Sequence, residues 1–432
     1  MNIRRRYVLI GVIVLVLGLL LYLIFSNSIR GGNNPDAQKF TLNVWGVEDE
    51  GVFSSIAGGY QAVRPGATIT YKRLDPRTYK ETILNALAGG TGPDVFYIKN
   101  HDIPAEKDKL YPADSAQLSL ARVNDLFPLV VSQDLASASG SLIYAMPLYV
   151  DTLALLYNKD VFDQNAVVYP PKTWAEFQAL VRKLTKLNDR GQIIKSAAAI
   201  GNTEKTVDAG VDVLITLVMQ NAPKEERTSG NNKALVNSLV KQSGEDTLRF
   251  YTQFADPATT AYTWDAQGNS IDSFGAGNTA MILNYQSAIP MIKKKSPFLN
   301  IGVSPLPQIG EETDNPVTHA NYYALAVSKQ SKLPAWAWDF VIQATTNEGI
   351  ARSYLASAGH PPALKTLIEE KIGDPDVNVF ASSALLARSW YHVNNQEIHS
   401  ALNDAIQSVL NGRSTSRDAL RTASARIDQL YR

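Results

Sequence analysis

From Phe40 onward, short apolar runs alternate with amphipathic stretches, a pattern that predicts an α/β fold. Phe40 to Val47 reads as a buried strand, Glu50 to Arg64 as a helix stopped by Pro65-Gly66, and Ala67 to Leu74 as a second strand. Tyr79 to Ala88 is a helix ending at Gly89-Gly90, and Asp94 to Ile98 is a third strand. This βαβαβ start requires right-handed crossovers. Leu142 to Tyr157 is β-rich, interrupted by Pro147, and too long for one ordinary strand, so it is expected to pass from one sheet into another. Helices are predicted over Thr173–Leu187, Val207–Asn221 and Lys233–Ala255, with short strands at Thr279–Leu283 and Asn300–Ser304. A strand over Tyr322–Val327 then precedes helices over Pro334–Thr345 and Asn347–Ala358. The tail from Asn394 to Tyr431 reads as two helices broken at Gly412.

Before this pattern begins, Arg4, Arg5 and Arg6 precede an uncharged apolar run from Tyr7 to Phe25. That run is long enough to span a membrane as a helix, and the arginines place its N-terminal side in the cytoplasm. The expected organisation is a cytoplasmic stub (1–6), a transmembrane anchor (7–25) and a flexible tether (26–39), leaving the rest on the extracytoplasmic side of the cell membrane. The Gly/Asn/Ser-rich tether has a random-coil reach of about 20 Å. A cleaved signal peptide is the competing reading, although its apolar region is usually shorter and no A-x-A-like site comes after this one.

Composition narrows the chemistry. Lys plus Arg and Asp plus Glu are each 41 among 432 residues, a balance that argues against nucleic acid or an acidic polymer as partner. Without cysteine there is no disulfide, thiolate site, cysteine nucleophile or acylated cysteine anchor. The five histidines, at 101, 319, 360, 392 and 399, include no pair with helical zinc spacing. P-loop, dinucleotide and G-x-S-x-G signatures are absent. Asp265 to Asp272 has the polarity of a calcium loop but lacks its glycine and terminal glutamate at the required offsets. Glu48, Asp49 and Asp151 supply carboxylates that could flank a glycosidic bond or, more simply, line a polar cleft.

The aromatic residues carry more information. Trp336 and Trp338 sit in a predicted helix with Phe340 and Ile342 and read as packing, and Trp174 sits at a helix start. Trp45 ends a strand and meets Gly46, Glu48 and Asp49, and strand ends in open α/β sheets are where ligands bind. Trp390-Tyr391 stands in a polar stretch between Arg388 and Asn394. An aromatic face beside carboxylates and amides suits a sugar ring, with its apolar C–H faces and hydroxyl edges.

Several stretches match a known family in order: LNVWG (42–46), GTGPDVFYI (90–98), YAMPLYVDTLALLYNKDVF (144–162), PPKTWAEFQALVRKL (170–184) and FGAGNTAMILN (274–284). IGVSPLPQIG (301–310), YYALAVSKQSKLPAWAWDF (322–340) and SAGHPPALKTLI (357–368) complete the series. Together they resemble the family 1 extracellular solute-binding proteins of ABC importers, the group that includes the maltose-binding protein. The resemblance implies an α/β, two-lobe periplasmic-binding-protein-like fold with hinge strands, here preceded by the N-terminal transmembrane helix. The lobes would be 40–150 with 323–368, and 151–322 with 369–432. It implies no enzymatic activity and no cofactor, a small solute such as a sugar held between the lobes, and an ABC permease as partner. A polyamine, metal complex or peptide as solute, or a surface glycan-cleaving enzyme, are the rivals. Matching positions give the expected ligand contacts: Trp45, Glu48, Asp49, Asn100, His101, Asp151, Trp264, Tyr285, Trp390 and Tyr391. After AMILN, Tyr285-Gln286-Ser287 stands where the family usually has a small residue and then a tryptophan.

Overall fold

A computed structural model describes residues 38–222, 232–265, 268–310, 316–374, 377–390 and 394–430. The anticipated stub, anchor and most of the tether, together with Tyr391, lie outside the described residues. Among the described residues no helix is long and apolar enough to cross a membrane.

Strand β1 (Phe40–Gly46) alternates buried Phe40, Leu42 and Val44 with exposed positions. Helix α1 (Glu50–Val63) buries Phe53, Ile56 and Tyr60, three and four residues apart, on the same core. β2 (Ala67–Arg73), α2 (Tyr79–Ala88) and β3 (Val95–Lys99) come next, and β1 pairs in parallel with both β2 and β3. Gly46 ends β1 because a Cβ there would stand 2.7 Å from the Tyr97 ring and 2.8 Å from the Tyr71 hydroxyl. After α3 (Leu129–Leu135), β4 (Ala145–Pro147) lies at the other edge of this sheet, while β5 (Ala154–Asn158) belongs to a second one. The 142–157 stretch does pass between sheets.

The second lobe is less regular in sequence. α4 (Trp174–Leu184) starts from a capping box of Thr173 and Glu176 and stops three residues before the predicted end, where β6 (Lys186–Leu187) pairs with β7 (Ile193–Ala199). The sequence pattern does not predict β7, since its Ala197-Ala198-Ala199 half has little β propensity. α5 (Gly210–Asn221) is buried at every position from 210 to 220. The single helix expected over 233–255 is two, α6 (Asn232–Leu239) and α7 (Gln242–Thr252). Gly244 permits the break, as a Cβ there would collide with the Ser238 and Leu239 carbonyls. β8 (Thr279–Asn284), α8 (Ala288–Lys295) and β9 (Ile301–Pro305) complete this lobe's sheet, in the order β9-β5-β8-β7-β6.

The chain then returns through β10 (Thr318–His319) to β11 (Tyr323–Val327), which joins the first sheet in the order β2-β1-β3-β11-β4. α9 (Pro334–Thr346), α10 (Glu348–Ala358) and α11 (Lys365–Lys371) pack on it. α12 (Asn378–Ala384) sends Ala381 and Ala384 to the first core and Phe380 to the second lobe. β12 (Ala387–Arg388) pairs with β10, and α13 (Asn395–Leu410) and α14 (Ser416–Gln429) close the second lobe, with Gly412 at φ 64° between them.

Among the described residues, three segments therefore cross between the lobes: 148–153, 317–322 and 387–390. They hydrogen-bond side by side. Leu153 N–H donates to the His319 carbonyl (2.9 Å), Asn321 N–H to the Asp151 carbonyl (3.0 Å), and Ala320 N–H to the Arg388 carbonyl (3.0 Å).

Candidate functional site

The space between the lobes is walled on one side by the segment that leaves the end of β1. Glu48 Oε1 accepts the Tyr354 hydroxyl at 2.9 Å and lies 3.2 Å from His360 Nε2. Burial pushes this carboxyl up, but the His360 and Tyr354 contacts outweigh it and leave its pKa below the usual glutamate value. The His360 ring stacks on Tyr149 with centroids 4.1 Å apart. Gly359, at φ 70°, ends α10 and turns the chain so that His360 points back toward β1. Asp49 sits at the exposed lip, paired with Arg73 at 2.5 Å. Trp45 is half-buried, with the Lys72 ammonium 4.1 Å from its ring centroid.

The facing wall comes from the turn after β8. Gln286 Nε2 donates to the Gly359 carbonyl at 2.7 Å, a bond that joins the lobes. A cavity of about 810 Å³ opens here, lined from the second lobe by Tyr157, Gln286 and Gly302 and from the first by Arg352, His360 and Pro362. Gln286 Oε1 and His360 Nδ1 are sealed from solvent and have no protein partner; the same holds for Tyr97 Oη and Thr152 Oγ1. Buried polar atoms without partners are uncommon in folded proteins, and two of these belong to residues that line the interlobe cavity, Gln286 and His360.

Toward the other mouth, Lys99 Nζ donates to Asn321 Oδ1 at 2.8 Å and lies 4.2 Å from the Tyr323 ring centroid. Burial pulls this ammonium down to about 8, against the opposing pull of Asp151, Asp102 and Asp212. A second interlobe cavity of about 760 Å³ is lined by Lys80, His101 and Asp102 across from Thr203, Glu204 and His399. Behind it Tyr285 Oη donates to Asp212 at 2.6 Å and lies 3.0 Å from His319 Nδ1. Burial lowers the His319 pKa; at His399 burial acts the same way, but Glu204 at 2.9 Å and Asp212 raise it overall.

Among the expected contacts, His101 lines the second interlobe cavity and Glu48 holds His360 of the first, while Trp45 and Asp49 lie outside both linings. Others are placed differently. Asp151 is 1% exposed, and its oxygens accept the backbone N–H groups of Thr152 (2.9 Å), Gln286 (2.9 Å) and Ser287 (3.0 Å). It fastens the β8–α8 turn to the first crossing. Asn100 is buried against the hinge, and Tyr285 is in the second lobe's core. Trp264 is buried, with Nε1 donating to Thr206 at 3.2 Å, and Trp390 is 1% exposed beside Ile398 and Leu402. The polar sequence neighbours of these two tryptophans point to the cleft; burial is set instead by the helices that pack over them. Sequence reasoning misses Tyr97, Lys99, Tyr149, Gln286 and His360. For His360 and Gln286 the available signal is their place in the SAGHPPALKTLI stretch and just after AMILN.

Two of the crossings, 317–322 and 387–390, meet Asn100 at one carboxylate. Asp134 on α3 accepts at Oδ2 from Asn100 Nδ2 (2.9 Å), the Tyr322 hydroxyl (2.9 Å) and the Ser389 hydroxyl (2.8 Å). Burial raises its pKa to about 6 despite these donors. The folded state therefore holds this proton where the unfolded state, near 3.9, has lost it, so stability should fall as pH rises from about 4 to about 6. The full swing is on the order of 3 kcal/mol. Asp134→Asn keeps an oxygen for the three donors and should flatten this slope, as read from urea unfolding at pH 4.5, 5.5 and 7. An unchanged slope would show that Asp134 titrates normally.

Known proteins share this outline. A family model described as "Bacterial extracellular solute-binding protein" matches residues 59–381. A Deinococcus radiodurans protein named "Probable ABC transporter-binding protein" is 25% identical over 329 residues, 73% of this chain and 75% of that one. The "Maltotriose-binding protein" of Pyrococcus abyssi is 25% identical over 346 residues, 76% of this chain and 65% of that one. A cyclo/maltodextrin-binding protein solved with maltotetraose superposes with a TM-score of 0.71 at 20% identity, covering 91% of this chain and 97% of that one, which shows the shared fold.

Proposed function

We propose that this chain, which belongs to the bacterial extracellular solute-binding proteins, captures a carbohydrate between its lobes and delivers it to an ABC permease. The observation that carries the reading is the interlobe cavity lined by Gln286 and His360, whose Oε1 and Nδ1 lack protein partners. Both atoms act as acceptors when Nε2 of His360 carries the proton toward Glu48, and sugar hydroxyls donate to such atoms. The relatives named for maltotriose and solved with maltotetraose support the same solute class. Asp151, with three backbone N–H groups on it, is suited to holding the wall and not to turning over a glycosidic bond.

The mechanism is hinge closure. Solute binds one wall, the lobes rotate about the three crossings, and the closed form is the one the permease accepts. On this reading the lobes are 40–150 with 323–386 and 151–322 with 387–432, and residues 7–25 anchor the chain so that a permease is met in the same membrane. The last boundary falls later than the 368/369 implied by the resemblance because Ala381 and Ala384 pack in the first core. N-terminal sequencing of the purified protein tests the anchor: a start near residues 31–39 means a cleaved leader.

A thermal-shift screen against maltooligosaccharides, monosaccharides, polyamines, metal chelates and peptides tests the solute class. A sugar at one hundred times its Kd should add about 2.7 kcal/mol to stability. Stabilisation by a polyamine, chelate or peptide but by no sugar would overturn the carbohydrate reading.

A further inference from the structure

The first lobe contains a third cavity, of about 200 Å³, between α2 and β3. Its walls are Ile83, Leu84 and Leu87 from the helix and Phe96 and Ile98 from the strand, with Tyr323 beside them. The rim charges are matched in pairs: Lys80 with Asp102 at 2.5 Å, and Lys109 with Glu106 at 2.8 Å. Lys80 and Asp102 also line the 760 Å³ interlobe cavity, so this ion pair is the boundary between the two spaces. Lys99 stands at the same mouth and directs one of its three N–H groups to Asn321, leaving donors for a solute oxygen.

We propose that this cavity is a subsite for a ring-sized apolar group, presented by the solute as the aglycone of a glycoside. The proposal rests on the carbohydrate reading for the solute, but not for the cavity itself. Size, lining and position all enter. An apolar cavity of about 150 Å³ suffices for benzene. Sugar hydroxyls find no hydrogen-bond partner on Ile83, Leu84, Leu87, Phe96 and Ile98, so these side chains favour a ring without hydroxyls. The mouth, in contrast, opens through Lys80 and Asp102 onto the 760 Å³ interlobe cavity, so a solute that fills that part of the interlobe space meets it.

Two arms of one experiment test this on the purified full chain. Phenol is titrated as a free probe, monitored by changes in the aromatic and methyl NMR signals, into wild type, Leu84→Trp and Leu84→Ala. Saturable binding to wild type that is lost in Leu84→Trp, and retained or shifted toward 1-naphthol in Leu84→Ala, supports the subsite. The Leu84→Ala arm keeps the test open should the larger residue impair folding. Absence of saturable phenol binding to wild type, or binding unchanged in Leu84→Trp, overturns it. In the second arm, methyl and phenyl glycosides of maltotriose are compared by calorimetry. The phenyl compound should bind roughly ten- to a hundredfold more tightly, as expected for burying one ring, and Leu84→Trp should abolish the difference. Equal affinities in wild type overturn the aglycone assignment. If neither glycoside binds while phenol does, the maltooligosaccharide reading fails and the cavity stands.

Discussion

Trp390→Ala should lower the free energy of unfolding by about 3 to 5 kcal/mol, the range for removing a large aromatic side chain from a packed core. Trp390 is 1% exposed in the second lobe's core, which includes Ile398 and Leu402 of α13, so the truncation leaves a void in packed surroundings. Urea unfolding of wild type and variant reads the loss directly, and the binding of a stabilising solute by the surviving folded fraction supplies the second measurement. A stacking role would give the opposite signature, with affinity reduced and stability little changed. That outcome would return Trp390 to the cleft wall, where its sequence neighbours alone suggest it belongs.

The second large effect is expected at Asp151. Its carboxylate satisfies three backbone N–H groups, and those of Gln286 and Ser287 come from a turn 135 and 136 residues away in sequence. Truncation to Ala removes all three acceptor contacts in a buried place, and unsatisfied buried donors are worth about 1 to 3 kcal/mol each. We expect a stability loss of about 3 to 6 kcal/mol, with water entering the site accounting for the lower end. Asp151→Asn keeps one oxygen but turns an amide N–H₂ toward a backbone donor, so a smaller loss of about 2 kcal/mol is expected. Solute affinity should fall in both, because the turn that carries Gln286 is no longer fastened to the first crossing. Hydrogen exchange of the Gln286 and Ser287 amides separates this from direct solute contact: faster exchange without solute supports the fastening role, while unchanged exchange with weakened binding would make Asp151 a ligand.

Much of the first lobe is legible in the chain because its signals are local. The period of two in Phe40–Gly46, the helical spacing of Phe53, Ile56 and Tyr60, and the Gly and Pro residues that stop the elements all act within a few residues. The place of Glu48 just past a strand end is legible for the same reason. The sequence by itself also determined what these residues cannot use, because without cysteine no thiol chemistry is open to them. Tertiary structure decided the rest. β7 pairs with β8 although its alanines favour no strand, because that place in the sheet buries them, and α5, buried at every position from 210 to 220, has no polar face to reveal its period. The same holds for the polar residues. Asp134 gathers donors from Asn100, Tyr322 and Ser389, and Asp151 from a distant turn. A carboxylate in sequence is only an acceptor in waiting. Whether it meets a solute or a backbone N–H depends on which segments the fold brings within about 3 Å, and at Asp134 and Asp151 those segments lie up to 255 residues away.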